Sequence, residues 1–146
     1  MSQDKKNLKA YSIFFYVFAA LDLLEAIAWI YIGFSGNTLG LDELASVDTT
    51  ALKISAFVVA VFALVEMGLE CYLGNRGMAE IKGTYSGTAH LKLAAVLGVL
   101  NIVGCAISLY GLIKGYSNVF ELICEVLAVV ILFSYRNYCK KVLESK

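Results

Sequence analysis

Apolar residues run almost unbroken through four stretches of the chain, at about 11–34, 51–74, 93–113 and 119–135, with polar residues gathered between them. At about 1.5 Å of rise per residue, the first three are long enough to cross a hydrocarbon layer about 30 Å thick. The fourth is shorter, but nothing else can return the chain. The pattern predicts an all-α, polytopic membrane protein: one membrane domain over residues 1–146, built as a four-transmembrane-helix bundle. The apolar run that opens the chain is too long for a signal peptide and contains acids, so it reads as the first permanent helix.

The basic residues alternate between the ends of these stretches. Lys5, Lys6 and Lys9 precede the first, Arg76, Lys82 and Lys92 fall in the 75–92 loop, and Arg136, Lys140, Lys141 and Lys146 follow the fourth. The 35–50 loop holds acids and no base. By the positive-inside rule, 35–50 is an outside loop, 75–92 a cytoplasmic loop, and both N- and C-termini are cytoplasmic, as in a plasma (inner) membrane protein. Asp48 or Thr49 is suited to cap the second helix, and Asn118 with Glu121 has capping-box spacing for the fourth. "GNRG" (residues 74–77) reads as the end of the second helix, and "LDELA" in the outside loop as a short amphipathic turn.

Composition agrees. Residues are 60% hydrophobic and 16% charged, and mean hydropathy is +0.74. A soluble domain of this size has too little interior to hide that surface, so the lipid bilayer is the expected partner. Proline is absent, which favours unbroken helices. The formal net charge of zero argues against a nucleic-acid partner. Cys71, Cys105, Cys124 and Cys139 form no C-x-x-C or zinc spacing, His90 is the single histidine, and no HExxH occurs. No enzyme activity and no cofactor are expected.

Helices in lipid associate through small residues. Ala94, Gly98, Asn101, Cys105 and Ser108 repeat at steps of four and three, and Gly104 and Gly111 widen that face. Ala94, Gly98, Gly104 and Ser108 are therefore the packing residues of the third helix.

The candidate chemistry lies in the acids. Asp22 and Glu25, Glu66 and Glu70, and Glu121 and Glu125 are pairs three or four residues apart, each on one helix face, and no Lys or Arg occurs in the apolar cores. An acid at a helix centre costs about 2.5–3.5 kcal/mol of insertion, and each Leu, Ile, Phe or Val returns about 0.3–0.6. The first stretch, with two acids, comes out near break-even and is expected to turn them away from lipid. Protonation or a bound cation would make them tolerable. Asp22, Glu25, Glu66 and Glu125 are the candidate cation- or proton-binding residues, with Asn101 as a polar partner. Glu121 reads as a helix cap, Glu70 as an interfacial acid meeting Arg76 or water, and His90 as a cytoplasmic surface residue rather than a pH sensor.

These features point to a small transporter or channel for protons or small cations, working as a homo-oligomer. The alternative is a non-catalytic accessory or interaction protein whose acids bind the transmembrane residues of a membrane partner protein.

Overall fold

The computed structural model describes residues 2–39, 48–85, 87–115 and 119–145, apart from the side chain of Glu121. The "LDELA" turn and the Asn118–Glu121 cap lie outside what is described. The described residues form four helices: α1 (Gln3–Ser35), α2 (Thr49–Lys82), α3 (Ala89–Lys114) and α4 (Val119–Glu144). All four are long and apolar enough to cross a bilayer.

Each helix continues past its apolar stretch. α1 begins at Gln3 rather than near Tyr11, α2 runs to Lys82 rather than Gly74, α3 begins at Ala89, and α4 reaches Glu144. The added turns carry Lys5, Lys6 and Lys9, Arg76 and Lys82, Lys92, and Arg136, Lys140 and Lys141. They are helical because the sequence there is proline-free and rich in good helix formers. Hydropathy marks where a helix stops being apolar, not where it stops.

The ends have local causes. Asp48 Oδ1 accepts hydrogen bonds from the Thr50 and Ala51 amides at 2.9 and 3.1 Å, which caps α2. At its other end Gly83 takes φ +73°. Its amide donates to the Glu80 carbonyl, and that of Thr84 to the Ala79 carbonyl, both at 3.0 Å. This is the Schellman stop, in which a left-handed residue lets the chain satisfy the last carbonyls. The "GNRG" glycines do not end α2, which passes straight through them.

The chain divides into two compact units, Phe14–Tyr72 and Met1–Ile13 with Leu73–Lys146. In Phe14–Tyr72, Ile32, Leu52 and Ala56 form a buried cluster with Trp29 against it. Gly33 lets the Phe57 ring approach to 3.0 Å from where a Cβ would stand. Elsewhere in this unit, apart from the buried Phe15, small residues tend to be inside and large ones outside. Ala63 is 3% exposed and Phe62 beside it 64%; Ala26 is 1% exposed and Ile27 54%. This reverses the ordering of a soluble core and suits helices with apolar surroundings.

In the other unit α3 packs along α4. Ala94, Gly98 and Ser108 are buried, and Gly98 stands under the Phe133 ring, 2.8 Å from where its Cβ would be. At the basic helix ends lies a core of Leu8, Ser12, Leu73, Glu80, His90, Tyr135, Cys139 and Val142, all 0% exposed. Tyr11 of α1 stacks on Tyr138 of α4 with ring centres 5.6 Å apart.

Gly77 organises this core. A helical side chain covers the turn on its N-terminal side, so a residue with a Cβ at 77 would shield the Leu73 carbonyl. With glycine there, the Tyr135 hydroxyl reaches that carbonyl and donates a buried hydrogen bond of 2.7 Å. The close approach leaves no room for a methyl: a Cβ at Gly77 would meet Ser12 Oγ and come within 2.8 Å of the Tyr135 ring. Gly77→Ala is expected to destabilise by about 1–3 kcal/mol through overpacking. Gly68→Ala, where a Cβ meets nothing within 4 Å, should stabilise by about 0.5–1 kcal/mol through its better helix propensity. Thermal unfolding of both variants in detergent checks this. Equal midpoints for the two would remove the close contact from the account.

Candidate functional site

α1 presents Asp22 and Glu25, one turn apart, and α2 presents Glu66 and Glu70, one turn apart. All four belong to Phe14–Tyr72. Asp22 and Glu70 are half-buried and share a side-chain hydrogen bond. Glu25 acts electrostatically on Asp22, and Glu66 on Glu70. Glu25 is exposed, and its Oε1 accepts a 3.1 Å hydrogen bond from Trp29 Nε1. Glu66 is exposed as well. Glu70 Oε2 is buried with no hydrogen-bond partner among the described residues.

Two ionised carboxylates have only acceptors to offer each other, so a hydrogen bond between carboxyl groups needs a proton on one of them. The proton belongs to the pair rather than to either residue. The base nearest along the sequence is Arg76, six residues after Glu70. Lys53 is the single base of residues 14–72, and it precedes Glu66 by about 20 Å of helical rise. Among the described residues there is no group of three or more His, Cys, Asp or Glu side chains placed to hold a metal ion. The arrangement suits a proton, or a cation held by few ligands, better than a caged metal.

Glu70 is half-buried and faces Asp22, and the Arg76 guanidinium lies over the Tyr85 ring, 4.4 Å from its centre. Sequence spacing gives the face an acid occupies on its own helix. It carries no information on which residue of another helix stands opposite.

Glu125 and Asn101 belong to the other unit. The Glu125 carboxyl lies over Gly104, with Oε2 2.7 Å from where a Cβ would stand, so the missing side chain makes its place. Asn101 Nδ2 donates at 2.9 Å to the Leu97 carbonyl of its own helix, a local bond that hides an amide within an apolar stretch.

A second cluster of ionisable groups was not legible in the sequence. His90 is not a surface residue. It is fully buried, with Nε2 3.3 Å from Oε1 of the equally buried Glu80. The Tyr85 and Tyr135 rings stand edge-on to it, with centres 5.3 and 6.2 Å away. Cys139, beyond the apolar stretch of α4, completes the cluster. Burial pushes its thiol up to about 12, the nearby Glu80 charge acts in the same direction, and a hydrogen bond with Tyr135 opposes them. The one hint was a Glu and a His flanking the glycine-bearing "GTYSGT" connection, where two antiparallel helix ends must meet.

Compared with known proteins, the chain matches no family model, and no curated protein or solved structure matches it significantly.

The shared hydrogen bond predicts coupling between its members. In a double-mutant cycle of Asp22→Asn and Glu70→Gln, denaturation in detergent should give an interaction energy of about 0.5–3 kcal/mol. Strictly additive effects would mean that the two carboxyls do not share a proton.

Proposed function

We propose that this chain is an integral protein of the plasma (inner) membrane, with four spans and both termini cytoplasmic, that handles protons or small cations through intramembrane carboxyl groups. The observation that carries the reading is the Asp22–Glu70 hydrogen bond, flanked by Glu25 and Glu66. A carboxyl pair holding one proton between two oxygens is a station from which that proton can be passed on. Glu125, seated over Gly104 near Asn101 on α3, is a further carboxyl for the same role.

Membrane insertion is supported by helix length and by the exposure of large apolar side chains with small ones buried. The orientation is supported by the basic residues, which lie on the helical extensions of α1, α2, α3 and α4. Glu25 and Glu66 are exposed on otherwise apolar surface. An uncovered carboxylate facing lipid is costly, which supports assembly with a second copy or a membrane partner. The same exposure favours the second reading, a non-catalytic accessory protein whose acids bind a partner's transmembrane residues.

Proton flux separates the two. Purified protein is reconstituted into vesicles loaded with a pH-sensitive dye, and a potassium diffusion potential drives proton entry. The wild type should acidify the lumen faster than protein-free vesicles do, and Glu70→Gln or Asp22→Asn should remove at least about tenfold of that rate, the usual scale for losing a proton carrier. Unchanged flux in both variants would exclude the pair as carrier. No flux from the wild type would favour the accessory reading.

A further inference from the structure

The basic helix ends all belong to one compact unit, Met1–Ile13 with Leu73–Lys146. Its buried core at that end is made of large side chains, among them Leu8, Leu73, Tyr135 and Val142 at 0% exposure. Among the described residues of 2–12, 73–95 and 131–145, no large apolar side chain is exposed. Apolar groups inside and polar ones outside is the order of a surface that faces water and headgroups. The same segments expose Lys6, Lys9, Lys82, Lys92, Lys140 and Lys141. Glu144 is the one exposed acid among their described residues, and Asp4 is half-buried. None of these lysines forms an ion pair with a described carboxylate. Lys141 instead has its Nζ 5.3 Å from the centre of the Tyr138 ring, which is itself stacked on Tyr11.

We propose that these lysines form a collar that binds the anionic headgroups of the surrounding membrane lipids. The proposal rests on the four-span reading and not on the carboxyl cluster of residues 14–72.

The reasons are charge, depth and arrangement. A surplus of lysines without carboxylate partners repels itself, and an anionic surface relieves that repulsion. Counted along each helix from its apolar stretch, Lys92 stands about 1.5 Å outside, Lys9 about 3 Å, and Lys6 and Lys140 about 7.5 Å. Lys141 stands about 9 Å outside and Lys82 about 12 Å. The headgroup layer is about 5–8 Å thick on each side of the hydrocarbon. The nearer four lysines fall within it, and a flexible stem lets the other two reach back. Arrangement decides between partners. The lysines come from α1, α2, α3 and α4 alike, so a lipid leaflet, which surrounds every helix, can meet all of them. An acidic protein docks on one side. Lysine also suits lipid, being a compact charge without the planar fork by which arginine fixes a single phosphate.

Native mass spectrometry tests this on the full chain purified in dodecyl maltoside and titrated with phosphatidylglycerol or phosphatidylcholine of the same acyl chains. Each lysine near an anionic surface contributes about fivefold in affinity. The wild type should therefore bind phosphatidylglycerol at least about fivefold more tightly than phosphatidylcholine. Lys9→Gln with Lys140→Gln should weaken phosphatidylglycerol binding at least about fivefold and leave phosphatidylcholine unchanged. Lys53→Gln with Lys114→Gln, which removes the same charge at the other ends of α2 and α3, should change neither. Equal affinity of the wild type for the two lipids would overturn the proposal and leave an acidic protein as the collar's occupant. An equal loss in both double variants would overturn it too, since net charge and not the collar would then govern binding. So would displacement of the lipid by glycerol 3-phosphate at matched concentration, which would make the collar a site for soluble phosphates. Any of these results in a chain that needs detergent leaves the four spans standing. A chain that stays dispersed in plain buffer would refute the spans and the collar together.

Discussion

The buried hydrogen bond from the Tyr135 hydroxyl to the Leu73 carbonyl is the contact around which the basic helix ends are arranged. A helical carbonyl has a second lone pair, but a side chain four residues on normally screens it. Glycine at 77 lifts that screen. The opening admits the Tyr135 ring from one side and Ser12 from the other, and Ser12 is itself satisfied by a 2.9 Å hydrogen bond to the Leu8 carbonyl of its own helix. Three helices therefore meet over one missing methyl. His90, edge-on to the Tyr135 ring, brings in the fourth.

This close approach explains how Glu80 and His90 stay dry. Their burial depends on the aromatic walls of Tyr85 and Tyr135, and Tyr135 is held in place by the bond to Leu73. A buried ion pair adds little net stability, but a single buried partner left behind is costly. The pair is thus better suited to fixing which helix ends meet than to strengthening them.

The two clusters of ionisable groups differ in their chemistry. Asp22 and Glu70 are like groups, which associate only if a proton is shared. Glu80 and His90 are an acid and a base, in contact at 3.3 Å between two helix ends. The first arrangement has exposed acidic neighbours, Glu25 and Glu66. The second is sealed.

The sequence by itself determined the class of fold. Four long apolar runs without proline favour helices, which satisfy their backbone hydrogen bonds within one segment. Asp48 was legible as a cap because capping is local. Ala94, Gly98 and Ser108 are buried at the spacing of the helical repeat. Tertiary structure alone decided the rest. Hydropathy fell away at Gly74 and Tyr135 while the helices went on, since propensity and packing, not apolarity, sustain the outer turns. His90 looked like a surface base, because spacing along one helix does not say what another helix sets opposite. Glu80 drew no attention, and its partner stands ten residues on, across a turn. Those partners are chosen where helices touch, and the choice at Tyr135 was made by a glycine whose side chain is absent.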